Sequence, residues 1–499
     1  MKFYSLFLAT LIFASQCQAA VIGSLSAERA YQVSLDSSLV ETQTTSSEGT
    51  LTVALPQGMH IIAIASTTGR EQNPTPTSTP DPDSDPTGRE LFVAGFDETS
   101  ETNRFEVLDS QGRSLTGSIE VLEGVNTPAD IQATDLDGDE ILEVVAAGFN
   151  YDHGVIVEFW SGRGERLSRF EGVFDSSFDS ENFLMTGDFD GNQGAEAVLV
   201  GRDLEGGYDL KALNSEGSTV ASFEAFAPGC CKIDSFFLAN ADGNGALEAV
   251  LFGQSDAGTV TLRTFTAEGL LHEALVFGRE YEGMTDAFAL DLNGDGLSEI
   301  AAVRKNSRTD SFRLLVLDAM GTILLKKNLL SGKFEDDATF TAADVDNDGR
   351  DEITASGKLS GTGENVIQII DDNGSQMVAR TVLDPSFDGT NVSLYVDIDG
   401  DGSRELVVGG LDRTSGMTNY QVIDSYGEVV ASGLGAGSFS ETEFLASDLS
   451  GDGTEDILIV VETAEGAFGI ELHDGQGGQV QFQATVSSLP LSVSTGELL

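Results

Sequence analysis

Basic residues are scarce in this 499-residue chain: 26 lysines and arginines stand against 82 aspartates and glutamates, for a formal charge of −56. A surface of that sign repels phosphate, which argues against nucleic acid and anionic lipid as partners and predicts that bound cations relieve its self-repulsion. Histidine is rarer still. His60, His153, His272 and His473 are scattered, and neither a Gly-x-Ser-x-Gly elbow nor zinc-type spacing accompanies them, so no catalytic constellation stands out. Cysteine is limited to Cys17 and the adjacent pair Cys230-Cys231, which makes neither a disulfide framework nor a zinc site. The pair reads either as a ring that stiffens a turn or as two thiols in a loop. Trp160 is the one tryptophan, placed at a hairpin turn either to pack a core or to stack on a sugar ring. The other aromatics are mainly phenylalanine, 29 against eight tyrosines, which favours core packing over an aromatic binding face.

Long apolar runs are also missing, with one short exception. Lys2, an apolar run from Phe3 to Ala14 and a small-residue end make residues 1–19 a secretory signal peptide, cleaved after Ala19, with a lipid anchor at Cys17 as the alternative. No other run is long enough to span a bilayer, so membrane insertion is not expected. The mature protein is expected to be secreted (periplasmic, cell-surface or extracellular) and a monomer.

Proline is sparse and unevenly spread. Five of the ten (Pro74, Pro76, Pro80, Pro82 and Pro86) fall in residues 67–88, a Pro/Thr/Asp-rich linker too polar to bury a core. Residues 20–66, with apolar stretches at Thr50–Leu55 and His60–Ala65 around a Pro56-Gln-Gly58 turn, form a small β region. It is either a separate minor domain or a strand pair added to the main fold. The main domain spans residues 89–499.

What that domain has in abundance is one acidic nonapeptide. Asp397-Ile-Asp399-Gly-Asp401-Gly-Ser-Arg-Glu405 carries acids at positions one, three, five and nine and glycine at four and six. The same pattern starts at Asp135, Asp188, Asn240, Asp291, Asp344 and Asp448, with steps of 51–53 residues. Seven copies in phase mark a repeat architecture. A hard cation such as Ca²⁺ takes six to eight oxygen ligands, and closely spaced acids on one tight loop supply them. Asp81–Glu90 looks like a degraded eighth copy with one extra residue, in which Pro82 and Pro86 argue against an ion.

Apolar strands flank every loop, so each joins two β-strands rather than the two helices of an EF-hand. A second signature follows, a hairpin turn closing on glycine, as in Leu108–Gly112, Leu213–Gly217, Leu317–Gly321, Ile370–Gly374 and Ile423–Gly427, with looser copies ending at Gly164, Gly269 and Gly477. A type I turn with glycine in the left-handed position fits this spacing. Four short strands per unit of about fifty residues describe a β-propeller blade. Seven complete units and a three-strand unit at 90–122 predict an all-β propeller of eight blades, with seven as the alternative. The missing strand of the first blade is supplied either by the C-terminal Leu489–Val493, where Pro490 demands an edge position, or by His60–Ala65.

These loops resemble the FG-GAP/VCBS repeats that build the calcium-binding propellers of integrin α-subunits and many secreted bacterial proteins. The resemblance covers roughly residues 90–487, and the absence of clear Phe-Gly and Gly-Ala-Pro signatures favours the VCBS type. It implies up to seven Ca²⁺ sites on the propeller rim. The ligands implied are Asp135, Asp137, Asp139 and Glu143; Asp188, Asp190, Asn192 and Glu196; Asn240, Asp242, Asn244 and Glu248; Asp291, Asn293, Asp295 and Glu299; Asp344, Asp346, Asp348 and Glu352; Asp397, Asp399, Asp401 and Glu405; and Asp448, Ser450, Asp452 and Asp456. The Asn240 loop, with two carboxylates, is expected to be the weakest. Glu140 and Gln193 stand where the other five loops have glycine. The functional expectation is a non-enzymatic binding or adhesion protein for an extracellular protein or glycan, with calcium stapling the blades. A polysaccharide-active enzyme resembling eight-bladed rhamnogalacturonan lyases is the alternative. The 82 acids make every sequence argument for a catalytic carboxylate pair uninformative.

Overall fold

The computed structural model describes side chains between Glu90 and His473, apart from short segments such as 98–99, 331–333, 384–393, 411–417, 434–443 and 461–469, and elsewhere describes only the backbone of strands. The signal peptide apart from Leu6–Phe7 and Ala19, the linker, the Asp81–Arg89 copy, Glu140, Ser450, Asp452 and the turn at Gly477 therefore lie outside the described residues. The chain divides into two compact units, Met1–Ser84 and Asp85–Leu499. In the first, Ile62–Ser66 and Ser38–Thr44 both pair antiparallel with Ala30–Leu35, and Ala19–Ile22 pairs with Leu51–Ala54.

The second unit is all-β, with eight four-stranded antiparallel sheets, each built of strands adjacent in sequence except one. The first strands of the sheets touch one another in an unbroken cycle, so they are the innermost strands of an eight-bladed propeller. In blades 2 to 8 they are Asp130–Thr134, Phe178–Gly187, Cys231–Ala239, Tyr281–Leu290, Thr339–Ala343, Phe387–Val396 and Phe444–Ser447. Blade 1 takes its innermost strand from the other end of the chain. Leu489–Gly496 pairs with Glu90–Asp97, and the register slips between Pro490 and Ser492. Proline has no N–H to give a ladder, and it sits here on a sheet edge at an irregularity, where that lack is tolerated. His60–Ala65 is not the closing strand: Ile62–Ser66 pairs with Ala30–Leu35 instead.

The second strand of each blade is apolar on both faces because both faces are covered. Val144 and Ala146 pack with Phe92 and Phe105 of blade 1, whereas the intervening Val145 and Ala147 pack with Leu184 and Leu199 of blade 3. The same alternation recurs around the ring to Leu458 and Val460, which meet Leu91 and Val93. Strand pleating sends successive side chains to opposite faces, so one run feeds two inter-blade cores. Trp160 belongs to one of them. It stands edge-on to Phe105 at 6.2 Å and donates its Nε1–H to the buried Glu158 at 3.0 Å, so it packs a core rather than offering a platform.

Six of the hairpin turns close as their sequences suggest. The N–H of Gly112, Gly164, Gly217, Gly321, Gly374 or Gly427 donates to the carbonyl three residues back, with φ between 72° and 84°. The copy ending at Gly269 differs: Thr266 and Gly269 pair directly across a two-residue turn. Cys230 and Cys231 are joined as a vicinal disulfide at the entry to blade 4.

Candidate metal sites on one rim

Each acidic loop joins an innermost strand to the second strand of its blade, so all seven lie on the same rim. Their sequence is dictated by unpaired backbone N–H groups that the acids themselves satisfy. The position-one aspartate accepts the N–H of position four at 2.7–2.8 Å in the loops of Asp135, Asp188, Asp291 and Asp397. Its other oxygen takes the N–H of position six in the loops of Asp188, Asp291, Asp344, Asp397 and Asp448. Position five folds back on the N–H of position seven, whether it is Asp139, Asn192, Asn244, Asp295, Asp348 or Asp401.

Position nine opens the second strand and points under the loop. Glu143, Glu196, Glu248, Glu299, Glu352 and Glu405 each accept the N–H of position two at 2.7–3.2 Å. Burial, reinforced by the acids of the same loop, pushes Glu196, Glu248, Glu352 and Glu405 up to about 7. Glu143 and Glu299 are raised for the same reasons. Asp456 holds the equivalent place and is also buried.

Positions four and six both need a left-handed backbone. Glycine supplies it at Gly294 (φ 75°) and Gly296 (φ 80°), while Asn347 at position four (φ 58°) and Gln193 at position six (φ 79°) adopt it without that freedom. The glycine at four has a further reason. A Cβ on Gly294 would lie 2.7 Å from the carbonyl oxygen of Gly349 in the next loop.

The loops are also tied to one another, which the sequence did not signal. The N–H of position eight donates to the position-one carbonyl of the preceding loop: Ala195 to Asp135, Leu247 to Asp188, Ser298 to Asn240, Asp351 to Asp291 and Glu455 to Asp397, at 2.7–3.0 Å. The main-chain group serves at every one of these, so position eight carries no motif, although Asp351 and Glu455 add a side-chain bond to the N–H of Asp291 and Asp397.

Four loops bring acidic oxygens within 4.8 Å of one another: Asp135, Asp137 and Glu143; Asp188, Asp190 and Glu196; Asp344, Asp346 and Asp348; and Asp397, Asp399 and Glu405. Three mutually close carboxylates, with Asn192 or Asp401 at the margin, are the all-oxygen donor set a hard divalent cation takes. In the Asp291 loop the Asn293 amide turns its nitrogen to Glu299 at 2.7 Å, so that amide would have to turn over to ligate. In the Asn240 loop, Asn240 Oδ1 and Glu248 Oε1 are buried without a hydrogen-bond partner, two acceptor atoms that a cation would satisfy.

Comparison with known proteins follows the fold rather than the sequence. No family model matches the chain, and no curated protein does. Among solved structures, the chain is similar to an exotype rhamnogalacturonan lyase, YesX, at 15% identity over 96% of this chain and 82% of that one, with a TM-score of 0.48. It is similar to the BP39L lectin from Burkholderia pseudomallei at 11% identity over 70% and 96% of the two chains, TM-score 0.48. It is similar to the V. cholerae biofilm matrix protein Bap1 at 14% identity over 80% of each, TM-score 0.33. The eight-bladed propeller is defined by the chain's own sheets, and its neighbours include a lyase, a lectin and a matrix protein.

Proposed function

We propose that this chain is a secreted, calcium-stabilised propeller of the FG-GAP/VCBS type that acts as a non-enzymatic binding or adhesion protein for an extracellular protein or glycan. The observation that carries the calcium reading is the convergence of three carboxylates in each of four loops on one rim. Asp135, Asp137 and Glu143, and their counterparts in the other loops, would hold the ions. A bound ion neutralises the packed carboxylates, and the loop-to-loop hydrogen bonds pass the gain in order from blade to blade. Secretion rests on the N-terminal apolar segment, and extracellular calcium modules bind at about 10⁻⁴–10⁻³ M, a range suited to that setting.

The test is incubation of the mature protein with acidic and neutral polysaccharides and with candidate matrix proteins in millimolar calcium, with and without chelator. Calcium-dependent co-sedimentation is expected, without the ultraviolet absorbance of unsaturated uronate products. New absorbance would make the protein a lyase and overturn the reading.

A further inference from the structure

Aligning the blades on the first residue of their second strands exposes two departures from glycine, Val461 in blade 8 and, in blade 5, a charged residue. Five residues further on stands Gly95, Gly148, Gly201, Gly253, Gly357 or Gly410 in blades 1, 2, 3, 4, 6 and 7. In blade 5 that place is taken by Arg304. Elsewhere the glycine is needed for close packing: a Cβ on Gly201 would lie 2.7 Å from the Phe174 ring, and one on Gly253 equally close to Phe226. The innermost strand of blade 5 bulges opposite Arg304, as those of blades 3 and 7 bulge near the same level. Glu282 pairs with Lys305 and Asp286 with Val303, so residues 283–285 face Arg304 alone.

Arg304 is only 1% exposed, yet its hydrogen bonding is incomplete. Nη2 donates to the Gly283 carbonyl at 2.7 Å, while Nε and Nη1 have no partner. Unmet donors on a buried cation are costly, which makes them a sign of a missing ligand. The side chain lines a cavity of about 690 Å³, a size that suits a small molecule. It lies at the inner edge of blades 4, 5 and 6, at the end of the blades opposite the acidic loops. Asp234, Glu282 and Asp286 supply acceptors there, and Phe312 and Phe340 supply apolar surface.

The charges select the class of ligand. Two cations, Arg304 and Lys305, face three carboxylates, and the Lys305 ammonium already donates to the Phe334 carbonyl at 3.1 Å. Asp234 is close enough to Arg304 for their charges to act on each other. An anion would meet a net negative wall on a chain of charge −56, and a cation could not use the arginine donors. A neutral molecule with many hydroxyls uses both sides: its oxygens accept from Arg304, its O–H groups donate to Asp286 and Glu282, and its C–H face lies on the phenylalanines.

We infer that this cavity is a binding site for a neutral sugar, with Arg304 and Asp286 as its principal polar contacts. The inference rests on the binding role proposed above and gives it a site and a ligand class.

The test is calorimetric titration of the full mature chain, in millimolar calcium, with disaccharides of glucose, galactose, mannose and xylose, and with a uronate disaccharide as counter-probe. The variants are Arg304→Met and Asp286→Asn; the second is isosteric at an exposed position and should leave the protein folded, with an unchanged circular dichroism spectrum. Binding of a neutral sugar, weakened at least ~10-fold by each variant, is the expected result. Equal binding by wild type and Asp286→Asn would place the sugar elsewhere and overturn the site while leaving the binding role intact. Tighter binding of the uronate would overturn the neutral class. If no sugar binds, the site is wrong, and co-sedimentation with polysaccharide or protein then decides separately whether the binding role survives.

Discussion

Asp397 and Glu455, on the rims of neighbouring blades, hold each other twice. The Glu455 N–H donates to the Asp397 carbonyl at 2.9 Å, and the Glu455 carboxylate accepts the Asp397 N–H at 2.8 Å. Asp351 and Asp291 repeat the arrangement at 2.8 and 2.7 Å. The main-chain half survives any substitution, but the side-chain half does not. Glu455→Ala and Asp351→Ala should each lower stability by about 1 kcal/mol, the net worth of one hydrogen bond, read as a shift in denaturant midpoint at constant slope.

Gln193 occupies a left-handed position that five of its six counterparts fill with glycine. Gln193→Gly should therefore stabilise the fold by about 0.5–1 kcal/mol, the relief of the Cβ clash less the extra freedom glycine has when unfolded. The reciprocal change is Gly296→Ala, where an added Cβ meets nothing within 4 Å, so that only the backbone angle matters. It should cost about 1 kcal/mol by the same measurement.

Calcium should raise the melting temperature, and chelator should lower it. One site at tenfold excess of ion over its dissociation constant contributes about 1.4 kcal/mol by linkage, so several sites together give a large shift. Asp399→Asn keeps an oxygen for the Asp401 N–H but loses a charge from the cluster with Asp397 and Glu405. Its melting temperature should match wild type in chelator and fall below it in calcium. An equal deficit in both conditions would make Asp399 a purely structural residue.

Asp286 provides a pH test away from the loops. Although the side chain is open to solvent, protein surrounds it on the inner edge of the ring, and that burial pushes its carboxyl up to about 6. Asp234, Glu282, Arg304 and Lys305 line the same cavity. Because the folded value lies above the unfolded one, the folded state holds the proton longer. Its contribution should thus be most favourable below about pH 4 and decline as pH rises to about 6. Asp286→Asn should flatten that part of the stability–pH curve and leave the rest in place.

The propeller was legible because its loops answer to the backbone. Acids at one, three, five and nine and left-handed residues at four and six recur wherever the same N–H groups need acceptors, so the period survives at Asn240 and Asn347, where the acid or the glycine is lost. The closing strand was visible as one of two choices, with Pro490 correctly confined to an edge. Which loops gather their acids was not visible, because it turns on rotamers such as that of Asn293. The ties between loops left no motif because the half common to them all uses main-chain atoms, with a side chain added only at Asp351 and Glu455. Arg304 did leave one, a side chain where six other blades have glycine, but it shows only when the blades are aligned on their second strands and not on their loops.

Blade 1 joins the earliest part of the propeller sequence to its last. Until Leu489–Gly496 has been made, Glu90–Asp97 lacks its inner neighbour and presents an open, apolar strand edge, a template for pairing with other chains. During synthesis the first blade therefore waits for the last, and the ring locks only when translation of that strand is complete. A chain stopped before Leu489 should complete blade 8 but expose a sticky strand edge at blade 1. The latch thereby serves as a check on the length of the product, separating finished chains from truncated ones by solubility.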